Sequence, residues 1–183
     1  MACESITAGY NGYCKGGISG IKAFGIAEFN PTITTTSTGS VGGTASNAAI
    51  TASTIYHYNM GVNDTATYSE TEESSEETGT TIVNGTLAFD IPVLSKIVRD
   101  QMVLMSNGRP QIYVEFYNGD IILAGVNFGC FKNKLEILSG MKRNDMAGFK
   151  LSFTTRENTL FPYLEASAIT AYKSAISDEY MDL

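Results

Sequence analysis

Hydrophobic residues at every second position, Leu87, Phe89 and Ile91, open the most legible part of the chain and predict a half-buried strand over 86–91, closed by Pro92. From Leu94 the period lengthens. Leu94, Ile97, Val98, Met102 and Met105 fall on one helical stripe while Lys96, Arg99 and Asp100 face away, which predicts an amphipathic helix over 94–105 that packs on the sheet through that stripe. Val103 is the odd apolar residue on the polar side. Asn107-Gly108 and then Pro110 end the helix. Ile112, Val114 and Phe116 next alternate with Tyr113, Glu115 and Tyr117, the pattern of another half-buried strand. Asn118-Gly119 predicts a two-residue type I′ turn, with 121–128 as the returning strand.

The flanking segments follow the same code less cleanly. Alternation of Ala23, Gly25 and Ala27 with Phe24, Ile26 and Glu28 predicts a first strand from about Ile21 to Phe29, stopped by Asn30-Pro31. Residues 32–52 are Thr, Ser, Gly and Ala around Gly39, Gly42 and Gly43, and read either as a long loop or as an extended hairpin with a glycine tip. Residues 55–60 and 65–71 predict two strands around an Asn63-Asp64 turn, and 135–141 a short element. Phe149, Leu151, Phe153 and Thr155 alternate with Lys150, Ser152, Thr154 and Arg156 as a last sheet strand. Beyond Asn158 the pattern fails, and 158–183 reads as an arm outside the core, with weak helical spacing and a close in Asp178, Glu179 and Asp182. The expectation is a mainly β protein: a sandwich or half-barrel of antiparallel strands over 1–157, one flanking helix, a long Thr/Ser-rich loop and a C-terminal arm.

At 183 residues the chain suits a single domain. Its 12 basic and 19 acidic residues give a net charge of −7, which opposes general attraction to nucleic acid or anionic membrane. Residues 1–60 carry only four formal charges, a composition that suits either an interface or a flexible polar arm. No signal-peptide pattern opens the chain, and no apolar run approaches the about 18 residues that span a bilayer. Cys3, Cys14 and Cys130 form no Cys-x-x-Cys pair, so reduced thiols are the simpler assignment.

Candidate chemistry is sparse. The one histidine, His57, sits between Tyr56 and Tyr58, where a packed or ion-paired imidazole is the expected role and a catalytic base is not. No phosphate loop, dinucleotide fingerprint or nucleophile elbow occurs, so no catalytic, cofactor or metal residues are assigned. Five glutamates, Glu70, Glu72, Glu73, Glu76 and Glu77, cluster within eight residues, but without the aromatic surroundings that raise one carboxyl for acid catalysis. On general grounds such a run is a solvated loop.

In its order of elements the chain resembles phage tail tube proteins, most closely those of long-tailed phages of Bacteroidetes. The likeness rests on the start at Gly16 to Lys22 with the strand after it, Asn84-Gly85-Thr86 leading into 87–92, the helix 94–105, the hairpin at Asn118-Gly119 and the strand 149–157. The resemblance implies a virion structural protein assembled in the host cytoplasm. Its rings, six-fold in the family, stack into a tube that contacts other tail proteins and passes DNA without specific binding, with no cofactor and no catalytic residues. In such a ring Glu70, Glu72 and, less centrally, Glu76 are expected to line the lumen and repel phosphate, with Glu73 and Glu77 in the turn or on the opposite face. The alternative is a β-sandwich adhesin or carbohydrate-binding module that presents Tyr56, Tyr58, Tyr113 and Tyr117, although the chain lacks tryptophan. An enzyme is a third and weaker reading.

Overall fold

The computed structural model describes residues 19–36, 38–60 and 65–176. Cys3, Cys14, Gly16-Gly17, Asn63-Asp64 and the acids Asp178, Glu179 and Asp182 lie outside them. The order of elements is β1 (Ile21–Ala27), α1 (Gly43–Thr51), β2 (Ile55–Asn59), β3 (Thr67–Ser75), β4 (Thr80–Ile91), α2 (Lys96–Asn107), β5 (Gln111–Phe116), β6 (Ile121–Ala124), β7 (Phe131–Leu138), β8 (Gly148–Glu157) and α3 (Ala166–Ala175). The strands form two four-stranded antiparallel sheets, β2-β1-β5-β6 and β3-β4-β8-β7. The protein is a β-sandwich, as the alternation predicts.

Apolar residues at period two face each other between the sheets. Phe24, Ile26, Ile112, Val114 and Ile122 of the first sheet meet Leu87, Phe89, Phe149, Leu151 and Phe153 of the second, all buried in one cluster. The Phe24 and Phe89 rings lie 4.6 Å apart between centroids, joining the layers directly. Each such side chain contributes about 1.5–3 kcal/mol by leaving water.

The first sheet has a second covered face. Ala27, Ile55, Tyr113, Ile121 and Leu123 pack against Ala49 and Ile50 of α1 and Leu164, Ala168, Ala171 and Tyr172 of α3, making three layers. β5 is therefore buried on both faces over 111–115, not half-buried as its Tyr113 and Glu115 suggest. Segment 32–52, expected as a loop or hairpin, carries α1, which buries Ser46, Ala49 and Ile50 at helical spacing. Asn30 pins its end by donating to the Ala49 carbonyl at 3.3 Å and Ser53 Oγ at 3.2 Å. The segment expected as an arm carries α3, and Gly25 makes room for it, since a Cβ there would stand 2.8 Å from Tyr172 Oη. Both helices are made mostly of small residues and gain their stability by docking on the first sheet.

Three further boundaries differ from expectation. The hairpin between β5 and β6 closes through Phe116 N–H to Asp120 C=O at 3.0 Å and Gly119 N–H to Phe116 C=O at 3.1 Å. Three residues, Tyr117, Asn118 and Gly119, thus fill the loop, the arrangement of a turn followed by a glycine in the left-handed region, with Gly119 φ at 93°. Asn118 stabilises it by accepting from the Asp120 N–H at 3.0 Å. β6 ends at Ala124, because Gly125 at φ 79° turns the chain away. In α2 the Ser95 hydroxyl accepts the Val98 N–H at 3.2 Å as N-cap, so Leu94 precedes the helix. Val98 and Met102 are buried and Met105 half-buried, whereas Leu94 and Ile97 are 51% and 50% exposed. The packing stripe is therefore Val98, Met102 and Met105, at i, i+4 and i+7, without Leu94 and Ile97.

Candidate assembly surfaces

Sheet edges are the first surfaces a β-sandwich has to account for. On the first sheet, β6 is covered by the segment after β8, with Leu123 N–H donating to Pro162 C=O at 3.0 Å and Leu164 N–H to Ile121 C=O at 2.8 Å. β2 meets Ile176 through a bridge at Ile55. On the second sheet both edges, β3 and β7, have no strand or bridge on their outer side among the described residues.

The second sheet also has a free face, since no helix packs on the side away from the core among the described residues. Register assigns its residues. Thr67, Ser69, Thr71 and Glu73 of β3 stand opposite Ala88, Thr86, Asn84 and Ile82 of β4, and Asp90, Thr86 and Asn84 in turn stand opposite Lys150, Thr154 and Arg156 of β8. β7 adds Phe131, Lys134 and Glu136 to the same side. Hydroxyl groups dominate this surface, and two of its cations are paired, Lys150 with Asp90 at 3.3 Å and Lys134 with Glu136 at 2.8 Å.

The acidic cluster divides between the two faces of β3 and the turn. Glu70 and Glu72 do share one face of β3, but it is the core side, because they pair with Gly85 and Val83 in the rows of buried β4 residues. Glu70 accepts the Phe161 N–H at 3.0 Å, and burial pushes its pKa upward against the opposing effect of that hydrogen bond. Glu72 lies farther out and is exposed although its partner Val83 is buried, and beyond this pair both strands of the β3–β4 hairpin are exposed. Glu73 takes the free face, and Glu76 and Glu77 occupy the turn, closed by Gly79 N–H to Ser75 C=O at 2.9 Å.

At the base of that hairpin Ile82, Phe128 and Phe131, all partly exposed, surround a hollow with Arg109, Arg156, Glu157 and Asn158. The Arg109 guanidinium stands 4.8 Å from the Phe131 ring centroid, a cation–π contact. Glu157 is buried and already committed, accepting from Asn127 N–H at 3.1 Å, Asn127 Nδ2 at 2.8 Å and Phe128 N–H at 3.3 Å. Nothing in the sequence marks this patch, because its members come from four separate segments.

Inside the fold, Glu115 is the ionic centre of the helix-covered face, with Lys22 Nζ at 2.5 Å and His57 Nε2 at 3.6 Å. His57 thus stands beside the Glu115 carboxylate on the packed strand β2. Burial raises the Cys130 thiol and the Tyr113 hydroxyl well above their ordinary values. Among the described residues no three His, Cys, Asp or Glu group to hold a metal ion, and no helix is long and apolar enough to cross a membrane.

No protein-family model matches the chain, and no curated protein matches it. Among solved structures, a chain described as part of the virion of a native gene transfer agent particle is similar over 54% of this chain and 81% of its own, at 11% identity and a TM-score of 0.34. At that level the likeness carries no weight for function.

Proposed function

We propose that this protein is a structural subunit of a phage-like virion, a tail tube protein whose copies join edge to edge into rings that stack around passing DNA. The observation that carries the reading is the state of the second sheet. Its four strands alternate in direction, so its unpaired edges β3 and β7 run oppositely, and β3 of one copy laid beside β7 of the next continues the antiparallel order without interruption. Such a head-to-tail contact closes into a ring when its rotation closes, and closure removes both open edges.

In this ring the free face of the second sheet forms the inner wall. That wall is hydroxyl-rich, with Thr67, Ser69, Thr71, Thr86, Ser152 and Thr154, and its Lys134 and Lys150 are neutralised by ion pairs. Phosphate is held chiefly by unpaired cations that release counterions, and with Arg156 the one such cation named on this face, a wall of hydroxyls and mostly paired charges lets DNA slide. The tube reading thus draws on low stickiness more than on the carboxylate repulsion expected from Glu70 and Glu72, which turn to the core side. It assigns the chain no catalytic step and no cofactor.

The adhesin alternative keeps Tyr56 exposed and Tyr117 half-buried but loses the other half of its aromatic platform. Tyr113 is fully buried under α3, and Tyr58 is half-buried against Phe89 with a ring separation of 6.3 Å. Negative-stain electron microscopy of the purified protein tests the proposal: rings or tubes support it, and a persistent monomer that binds glycan overturns it.

A further inference from the structure

We infer that the hollow formed by Ile82, Phe128, Phe131, Arg109 and Arg156 is the docking surface for the acidic β3–β4 hairpin of a second copy of this chain. The inference rests on the edge-to-edge ring proposed above and adds to it a second contact, which fixes the register of neighbouring subunits.

The hollow is a surface in need of a partner. It measures about 300 Å³ and exposes Phe128 at 48% and Phe131 at 44%. Neither Arg109 nor Arg156 belongs to an ion pair among the described residues. The one carboxylate in its lining, Glu157, is occupied by its three N–H donors. Two guanidinium groups beside exposed aromatic rings suit a carboxylate-bearing strand, since arginine takes carboxylate oxygens in a planar fork and its flat face rests on a ring.

Strand register says which carboxylates arrive. Ser69, Thr86, Thr154 and Phe131 form one continuous row across the second sheet. From that row β3 continues through six further residues to Ser75, an overhang of about 20 Å at about 3.3 Å per residue. β7 starts at Phe131, so when a neighbour's β3 lies antiparallel to it with Ser69 level with Phe131, the neighbour's next residues project past that end of the strand toward Phe128 and the hollow. At strand spacing Glu72 and Glu73 of that neighbour lie about 10 and 13 Å past Phe131, within reach of the hollow, with Glu73 on the same face as Ser69 and Phe131. The hairpin tip is exposed on both faces within its own chain, so this contact costs it no existing packing. Net charge favours this occupant over nucleic acid, because a chain of −7 that carries its own glutamates beside the hollow repels phosphate.

The test is a charge exchange read by light scattering against protein concentration and salt. Arg109→Glu with Arg156→Glu should raise the concentration needed for assembly by about tenfold or more, as should Glu72→Arg with Glu73→Arg. All four substitutions together should restore assembly to within about threefold of the native protein, a recovery that misfolding cannot produce. If either reversal leaves assembly and its salt dependence unchanged, or if the combined variant fails to recover, the docking is wrong. The tube proposal survives that result so long as the native protein still forms rings, whereas a native protein that stays monomeric overturns both. Binding of a 20-nucleotide single strand that is lost in the Arg109→Glu, Arg156→Glu variant would make the hollow a nucleic-acid surface and overturn the inference.

Discussion

Glu70 Oε2 accepts the backbone N–H of Phe161 at 3.0 Å, tying the open edge strand β3 to the segment that leaves β8. This places Glu70 on the core side of its sheet. Burial raises its pKa above the ordinary 4.5, partly offset by the Phe161 hydrogen bond. With the folded value raised, the folded state binds the proton more tightly than the unfolded chain does. The contribution to stability is then complete below the unfolded pKa and is lost as pH rises through the folded one. Glu70→Gln keeps an acceptor oxygen and removes the charge, so urea unfolding should show a shallower decline in stability as pH rises above about 4.5. An unchanged pH slope would contradict this placement.

Gly25 and Tyr172 make α3 part of the core. A Cβ on residue 25 would stand 2.8 Å from Tyr172 Oη and 2.9 Å from Ile55 Cγ2, closer than packed carbon atoms stand. Gly25→Ala should cost about 1–3 kcal/mol through overpacking, and at this chain length each kcal/mol lowers Tm by about 2–4 °C. A calorimetric Tm equal to that of the native protein would mean that α3 does not rest on the sheet.

The helix α2 separates buried from exposed apolar residues within one turn. Met102→Ala should cost about 2–5 kcal/mol by leaving a cavity, whereas Ile97→Ala, at a half-exposed site, should cost under about 1 kcal/mol. Denaturant midpoints measured for both would reverse the packing assignment if Ile97 proved the more sensitive.

Gly119 holds φ at 93° with open space where a Cβ would stand, so its replacement is purely a backbone question. Gly119→Val should cost on the order of 1–3 kcal/mol, the usual range for a branched residue forced into that region. A thermal melt that does not shift would remove the hairpin turn from the account.

What the sequence made legible was whatever a single period decides. Leu87, Phe89 and Ile91, and again Phe149, Leu151 and Phe153, alternate because one face of their sheet is core and the other is free. Tyr113 and Glu115 misled because a third layer covers the face they occupy, and that layer depends on α1 and α3, whose Ala, Thr and Ser residues carry almost no amphipathic signal. The glutamates show the limit most clearly. Period two correctly put Glu70 and Glu72 on one face, but only the pairing with Gly85 and Val83 says which face, and pairing is a long-range fact. The arginine–phenylalanine hollow was illegible for the same reason, being assembled from residues 82, 109, 128, 131 and 156.

The central claim is that β3 and β7 pair between copies. Hydrogen–deuterium exchange resolved by strand measures it directly, by comparing protein at assembling concentration with protein diluted to monomer. The account requires backbone amides of β3 and β7 to slow markedly on assembly while those of the covered strand β6 stay as they were. Rings that form with β3 and β7 exchanging as fast as in the monomer would contradict it.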